Sequence, residues 1–274
     1  MARGLERRGP LTAKRIGVDE TSFQKRHEYV TIVTDQESGT VLHVADDRRT
    51  ESLGSFFRGL DSAQREEIEV VAMDMHWPYI RAGAMHVPGF ASKLCFDRFH
   101  VAQHLGNAVD KTRRIEHKQL QAEGDDRLKG TKFHWLKAPK SLPRDLRRQL
   151  KDLVESSLLV GQVWAAKEAA SKLWRYSSWA WAKKAWIGLL EWARAIASPP
   201  LQRVVNTIEK HLLGILNAIV LKATNAGAES VNSKVQALKR RANGYRNRDR
   251  FRDAIFFHCG GLDLYPASTT HTKP

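Results

Sequence analysis

The order of strand-forming and helix-forming blocks between Lys14 and Cys95 restricts this chain more than any other feature. RIGVDETSF, HEYVTIVTD and TVLHVADD are rich in Val, Ile, Thr and Tyr, and a Glu37-Ser38-Gly39 turn separates the last two, which predicts three strands in a meander. Thr50 is expected to cap an amphipathic helix over ESLGSFFRGL, and the apolar run IEVVAMDM is a fourth strand. A further helix precedes a fifth strand, SKLCFD. An acid then closes the first, fourth and fifth strands: Asp19, Asp74 and Asp97.

Three strands, helix, strand, helix, strand is the order of an RNase H-like fold, so the expected class is α/β with a mixed sheet flanked by helices. Beyond Asp97 helical stripes take over, first Leu105, Ala108 or Val109, Thr112 and Ile115, then Leu146, Leu150 and Leu153. The expected organisation is a basic tail over 1–13, the first part of the core over 14–100, a mainly α-helical insertion over 101–224, closing helices over 225–264 and a tail over 265–274.

Seven of the eight tryptophans fall in the insertion. One helix carries two apolar stripes, Trp179, Ala182, Trp186, Leu189, Ala193 and Ile196 on one face and Trp181, Ala185 and Trp192 on another. A helix apolar on two faces is expected to lie sandwiched inside a bundle, with base stacking as the alternative. Pro199-Pro200 should end it, and a patterned helix through Val204, Ile208, Leu212, Ile215 and Ile219 should follow.

Charge sets the class of partner. Lys and Arg number 45 against 30 acids, a formal charge of +15 in 274 residues, and the pI is near 10.0. A polyanion is the expected ligand, and DNA is favoured over a membrane because no stretch approaches the roughly 20 apolar residues of a span. MARGLERRGP is followed by no apolar segment, so a cytoplasmic, nucleoid-associated protein is expected. Cys95 and Cys259 are far apart and form neither a disulfide framework nor half of a zinc site.

Asp19 and Asp74 end neighbouring apolar runs, so adjacent strands can bring them together. Two such acids repel unless a cation relieves them, and Mg²⁺ or Mn²⁺ suits carboxylate oxygens. Taken singly, each Asp also suits a turn or a helix cap. Glu229 lies in a helix that Asn225 can cap, off the buried stripe Ala228, Val231, Val235 and Leu238, and shares its face with Asn232, Ser233, Gln236 and Arg240. From Lys234 onward, Lys239, Arg240, Arg241, Arg246 and Arg248 precede Arg250 and Arg252 with only Asp249 opposing them, a density that predicts phosphate contact. His100 and His104 have the spacing of a zinc pair but no further ligand, so surface roles are expected.

GVDETSF, MDMHWPYI, FDRFHV and AESVNSKVQALKRRANGYRNRDRFR occur in the order seen in ISL-three family insertion-sequence transposases, and the resemblance spans about Arg15 to Leu264. It implies a DDE nuclease in which Asp19, Asp74 and Glu229 are catalytic and hold two divalent ions, with Asp97, His100 and Asn232 supporting them. It also implies a substrate of element ends and target DNA, and a homodimer to pair those ends. Family members carry an additional N-terminal zinc-binding and helix-turn-helix region that would read much of the terminal repeat, and nothing of that length precedes the first strand here. The alternatives are an RNase H-like nuclease without strand transfer, a catalytically silent DNA-binding remnant, and a helical scaffold or RNA-binding protein that would leave the strand-end acids unexplained.

Overall fold

A computed structural model describes residues 2–9, 11–24, 28–224 and 226–264. His27, Asn225 with its expected capping role, and the tail over 265–274 lie outside these residues. The chain divides into two compact units, one formed by 1–94 with the segment from Thr224 onward, the other by 95–223.

The first unit opens with helix α1 (Ala2–Glu6) and the strands β1 (Arg15–Gln24), β2 (Glu28–Asp35) and β3 (Val41–Asp46). Helices α2 (Thr50–Arg58) and α3 (Ser62–Glu67) lead to β4 (Val70–Met73), and α4 (Trp77–His86) and α5 (Phe90–Lys93) lead to β5 (Leu94–Phe96). Among the described residues the sheet order is β3-β2-β1-β4-β5, with β1, β2 and β3 antiparallel and β1 parallel to β4. This is the mixed, RNase H-like sheet that the block order predicts.

Two local expectations are corrected. Asp19 does not end its strand, because β1 keeps pairing with β2 as far as Gln24 and Asp19 lies opposite Ile32. Thr50 is the first residue of α2, not its cap. Arg49 is the capping residue and supplies no side-chain cap; Asp47, in the left-handed region at φ 59°, braces the turn before the helix by accepting from the Arg49 amide at 2.8 Å and from the Ser52 hydroxyl.

The segment after the second unit returns as α13 (Ala226–Arg241) and α14 (Arg248–Cys259). Both cover one face of the sheet, where Val231, Val235, Phe251, Ile255 and Phe256 meet Phe23, Val30, Ile32, Val41 and Val44. Ala228, Val231 and Val235 are buried as their spacing predicts, while Leu238 is half-buried.

His43 of β3 is set against α2, with its Nε2 3.1 Å from the Ser55 hydroxyl. Burial, and then the nearby Arg252, pushes its imidazole down to about 4, and a hydrogen bond involving Ser52 partly offsets them. The unfolded chain takes up this proton near pH 6.5 and the native state does not, so the resulting stability is complete above that pH and is lost as pH falls toward 4. On the order of 3 kcal/mol should disappear over that window. Urea unfolding at pH 7 and pH 4.5 should show a smaller acid loss for His43→Gln than for the parent, and equal losses would refute the assignment.

The second unit contains α6 (Arg98–Ala122), α7 (Lys132–Leu136), a short 3-10 turn at Pro139–Ser141, α8 (Arg144–Glu155) and α9 (Leu159–Leu173). These are followed by α10 (Trp179–Ala195), α11 (Pro199–Lys210) and α12 (Leu212–Val220). Glu116 of α6 caps α9, accepting from the Leu159 and Val160 amides at 2.7 and 2.8 Å. Pro199 and Pro200 open α11 instead of merely ending α10, since proline's fixed φ suits a first helical turn and the buried Ser198 accepts from the Leu201 amide. The patterned helix beyond is two helices, α11 and α12, that meet at His211.

The sandwiched position expected for α10 is also corrected. Ala182, Trp186, Ala193 and Ile196 are buried, and Trp174 meets Trp186 edge-on, but the second stripe faces outward with Trp181 62% and Trp192 45% exposed. Apolar periodicity on two faces does not oblige both to be covered, because the core supplies neighbours on one side only. No described helix is long and apolar enough to cross a membrane.

Candidate active site

The site begins with register. Parallel pairing of β1 with β4 runs Arg15↔Val70, Ile16↔Val71 and Gly17↔Ala72, then stops. Asp19 and Asp74 each lie two residues beyond the last pair, Asp19 still within β1 and Asp74 just past the end of β4, so the register brings both to one level at the same end of these parallel strands. Both are half-buried. Pairing with β4 ends while pairing with β2 continues, which opens the sheet on one side of Asp19.

Each carboxylate is held locally. Asp19 Oδ1 accepts from the Glu20 amide at 2.7 Å, and Asp74 Oδ1 accepts from the His76 amide at 3.1 Å. Helix α13 runs along β1 and ties to it residue by residue. Asn232 Nδ2 donates to Asp19 Oδ2 at 2.5 Å and to the Glu20 carbonyl at 3.3 Å, Gln236 Nε2 donates to the Thr21 hydroxyl at 2.5 Å, and Lys239 Nζ donates to the Ser22 carbonyl at 2.8 Å. Positions 232, 236 and 239 share one helical face, so the helix and strand are locked in phase.

Glu229 lies one turn before Asn232, exposed, in the first turn of α13. The polar strip expected around it is divided, because Asn232 and Gln236 turn onto β1 while Ser233 and Arg240 stay exposed. Among the described residues no three His, Cys, Asp or Glu side chains stand at metal-cage spacing. Asp19 and Asp74 are thus placed at one level, and Glu229 is placed on the helix that holds Asp19.

A polar cluster that the sequence did not signal borders these acids. The Tyr79 hydroxyl lies 2.8 Å from the Thr31 hydroxyl, which donates to the Asp47 carbonyl at 2.6 Å. Burial raises the Tyr79 phenol well above its usual range, the Thr31 hydrogen bond opposes this, and Glu20, Asp74 and Asp19 add to the rise. The proton therefore stays on Tyr79. Arg48 pairs with Glu20 at 3.2 Å, lies over the Tyr29 ring, and offers its carbonyl to His76 Nε2 at 3.0 Å. Such contacts join residues remote in sequence, which no local pattern of the chain signals.

The basic stretch is put to two uses. Lys239 holds β1, and Arg248 pairs with Glu28 at 2.9 Å and lies over the Phe23 ring. Lys234, Arg240, Arg241 and Arg246 are exposed. Lys239, Arg246 and Arg250 line an open depression of about 990 Å³ with Tyr245 and Asn247. In the second unit Asp97 precedes α6 and is buried, its Oδ2 without a hydrogen-bond partner among the described residues, while His100 is half-buried with its ring against Phe99.

A mixed sheet of this order, with two acids level at the same end of its central parallel strands, defines the RNase H-like class. The chain belongs to the DDE transposase family of the ISL-three (ISL3) type, whose model, described as "Transposase", matches residues 16–255. It is 28% identical over 239 residues to the transposase for insertion sequence element IS1001 of Bordetella parapertussis, covering 86% of this chain and 58% of that protein. It is 24% identical over 257 residues to the transposase for insertion sequence element IS1557 of Mycobacterium tuberculosis, covering 85% and 57%. The chain therefore spans somewhat more than half the length of these curated relatives. No solved structure matches it significantly.

Proposed function

We propose that this chain is the catalytic part of a DNA transposase that cuts element ends and joins them to target DNA, with Asp19, Asp74 and Glu229 as its catalytic acids. The level placement of Asp19 and Asp74 carries this reading, and membership of the family supports it. Hard carboxylate oxygens suit Mg²⁺ or Mn²⁺, so the three residues are assigned as ligands of two such ions. When bound, the ions supply the charge that activates the attacking water or 3′ hydroxyl and stabilises the leaving 3′ oxygen.

The protein's own groups prepare that site. Asn232 fixes the rotamer of Asp19, the His76 amide fixes Asp74, and the protonated Tyr79 adds no further charge beside them. Glu229 completes the site from the first turn of α13. Arg240, Arg241 and Arg246, together with Lys234, grip DNA phosphates, and two copies of the chain pair the two ends.

The test incubates supercoiled plasmid with the chain, Mg²⁺ and a labelled oligonucleotide bearing a free 3′ hydroxyl. Metal-dependent nicking with covalent transfer of the label into plasmid is expected. Nicking without transfer would make the protein a hydrolytic nuclease, and DNA binding with neither reaction would make it a silent DNA-binding remnant.

A further inference from the structure

Helix α10 keeps three indole rings outside the core. Trp181 and Trp192 are 62% and 45% exposed on one side of the helix, whereas Trp186 on the other side is fully buried; Trp179, on the face of Trp186 but in the first turn, is 40% exposed. Trp181 and Trp192 stand three turns apart at nearly the same angle around the axis, about 16 Å along the helix. Half-buried Ala185 and exposed Gly188 lie between them, and a Cβ placed on Gly188 would meet nothing within 4 Å. Along the line between the two rings the helix thus carries only small residues.

Cations accompany the rings. Lys183 Nζ lies 5.1 Å from the Trp179 ring centroid and Lys184 Nζ 5.6 Å from that of Trp181. Lys172, Arg175 and Arg203 are exposed nearby in sequence, and from Lys172 to Arg203 the acid is Glu191 alone. Arg194 is held by Glu209. The centre of a protein–protein interface is depleted in lysine. Exposed tryptophans with lysines beside their faces instead match what an unpaired nucleic-acid strand requires, a π-surface for bases and positive charge for phosphates. A duplex hides its base faces, so stacking selects the single strand.

We propose that this face of α10 binds single-stranded DNA, with unpaired bases stacked on Trp181 and Trp192 and a phosphate held by Lys184 beside Trp181. The proposal does not depend on Asp19, Asp74 or Glu229, and its test contains chelator so that failure of the catalytic reading cannot affect it. Fluorescence anisotropy of a labelled oligothymidylate is measured on the full chain, its Trp181→Ala and Trp192→Ala variants, and Trp181→Phe, beside a duplex of equal length.

Each alanine variant should bind the single strand about tenfold more weakly with duplex affinity unchanged, and the phenylalanine variant should keep most of the parent's affinity. Should an alanine variant fail to fold, Lys184→Gln must weaken single-strand binding and reduce its salt dependence. Unchanged single-strand affinity, or equal loss for both DNA forms in the alanine variants, overturns the proposal. So does a sedimentation result in which the parent self-associates through this face and the alanine variants become monomeric without losing the single strand, since a second copy of the chain would then be its occupant.

Discussion

Replacing Asp19 or Asp74 by Asn should abolish metal-dependent nicking and joining, a fall of roughly three orders of magnitude or more, while DNA affinity stays near the parent's. Each substitution keeps the shape and some hydrogen-bonding capacity of the side chain but removes the negative charge a divalent ion needs. The Asn232 bond offers a finer comparison. In Asp19→Asn the Glu20 amide keeps the remaining oxygen and Asn232 can turn its own Oδ1 to accept from the new amide, so the helix stays in place and loss of activity reports lost charge, whereas Asn232→Ala frees Asp19 with its charge intact and should cost less. Glu229→Gln should behave as the Asp variants do if Glu229 completes the site. Full activity in that variant alone would remove Glu229 and leave the two strand-borne acids standing.

Phe251→Ala should cost about 3–5 kcal/mol and lower the melting temperature by roughly 10 °C. Phe251 is 1% exposed, and its ring centroid lies 5.5 Å from that of Phe23 on β1 and 5.0 Å from that of Tyr245. It is the point at which α14 and the turn after α13 grip the sheet. The cavity left by its loss would be lined by Val235, Ile255 and other residues of one cluster that collapse only partly. Phe257, on the same helix but 57% exposed, is the control, and its alanine variant should change stability by no more than about 0.5 kcal/mol. Calorimetric melting of the two variants decides the matter, and similar losses in both would show that α14 does not anchor the sheet as described.

Much of the fold was legible before any coordinates, because short periods report directly on which face of an element is buried. The Val- and Ile-rich runs of β1 and β2, the apolar run of β4, and the 228, 231, 235 stripe of α13 all met the core as their composition and spacing required. Boundaries were harder where a neighbour supplied the deciding group. Arg49 displaced Thr50 at the capping position of α2, with Asp47 bracing the turn before it, Glu116 capped α9 from another helix, and β1 ran on past Asp19 because β2 continued beside it. The second tryptophan stripe of α10 looked like core because hydrophobicity alone cannot count how many neighbours a helix will find.

The sequence by itself determined the RNase H-like order of elements, the positive charge, and the family through four ordered blocks, since these depend on local composition and on patterns a few residues long. Only the tertiary structure decided that Asp19 and Asp74 stand at one level, that Asn232 is the residue of α13 that holds Asp19, and that Lys239 and Arg248 are turned partly inward. Those outcomes depend on strand register and on the phase of a helix against a strand. A shift of one residue in either would send the same side chains to another face, and no local property of the chain records it.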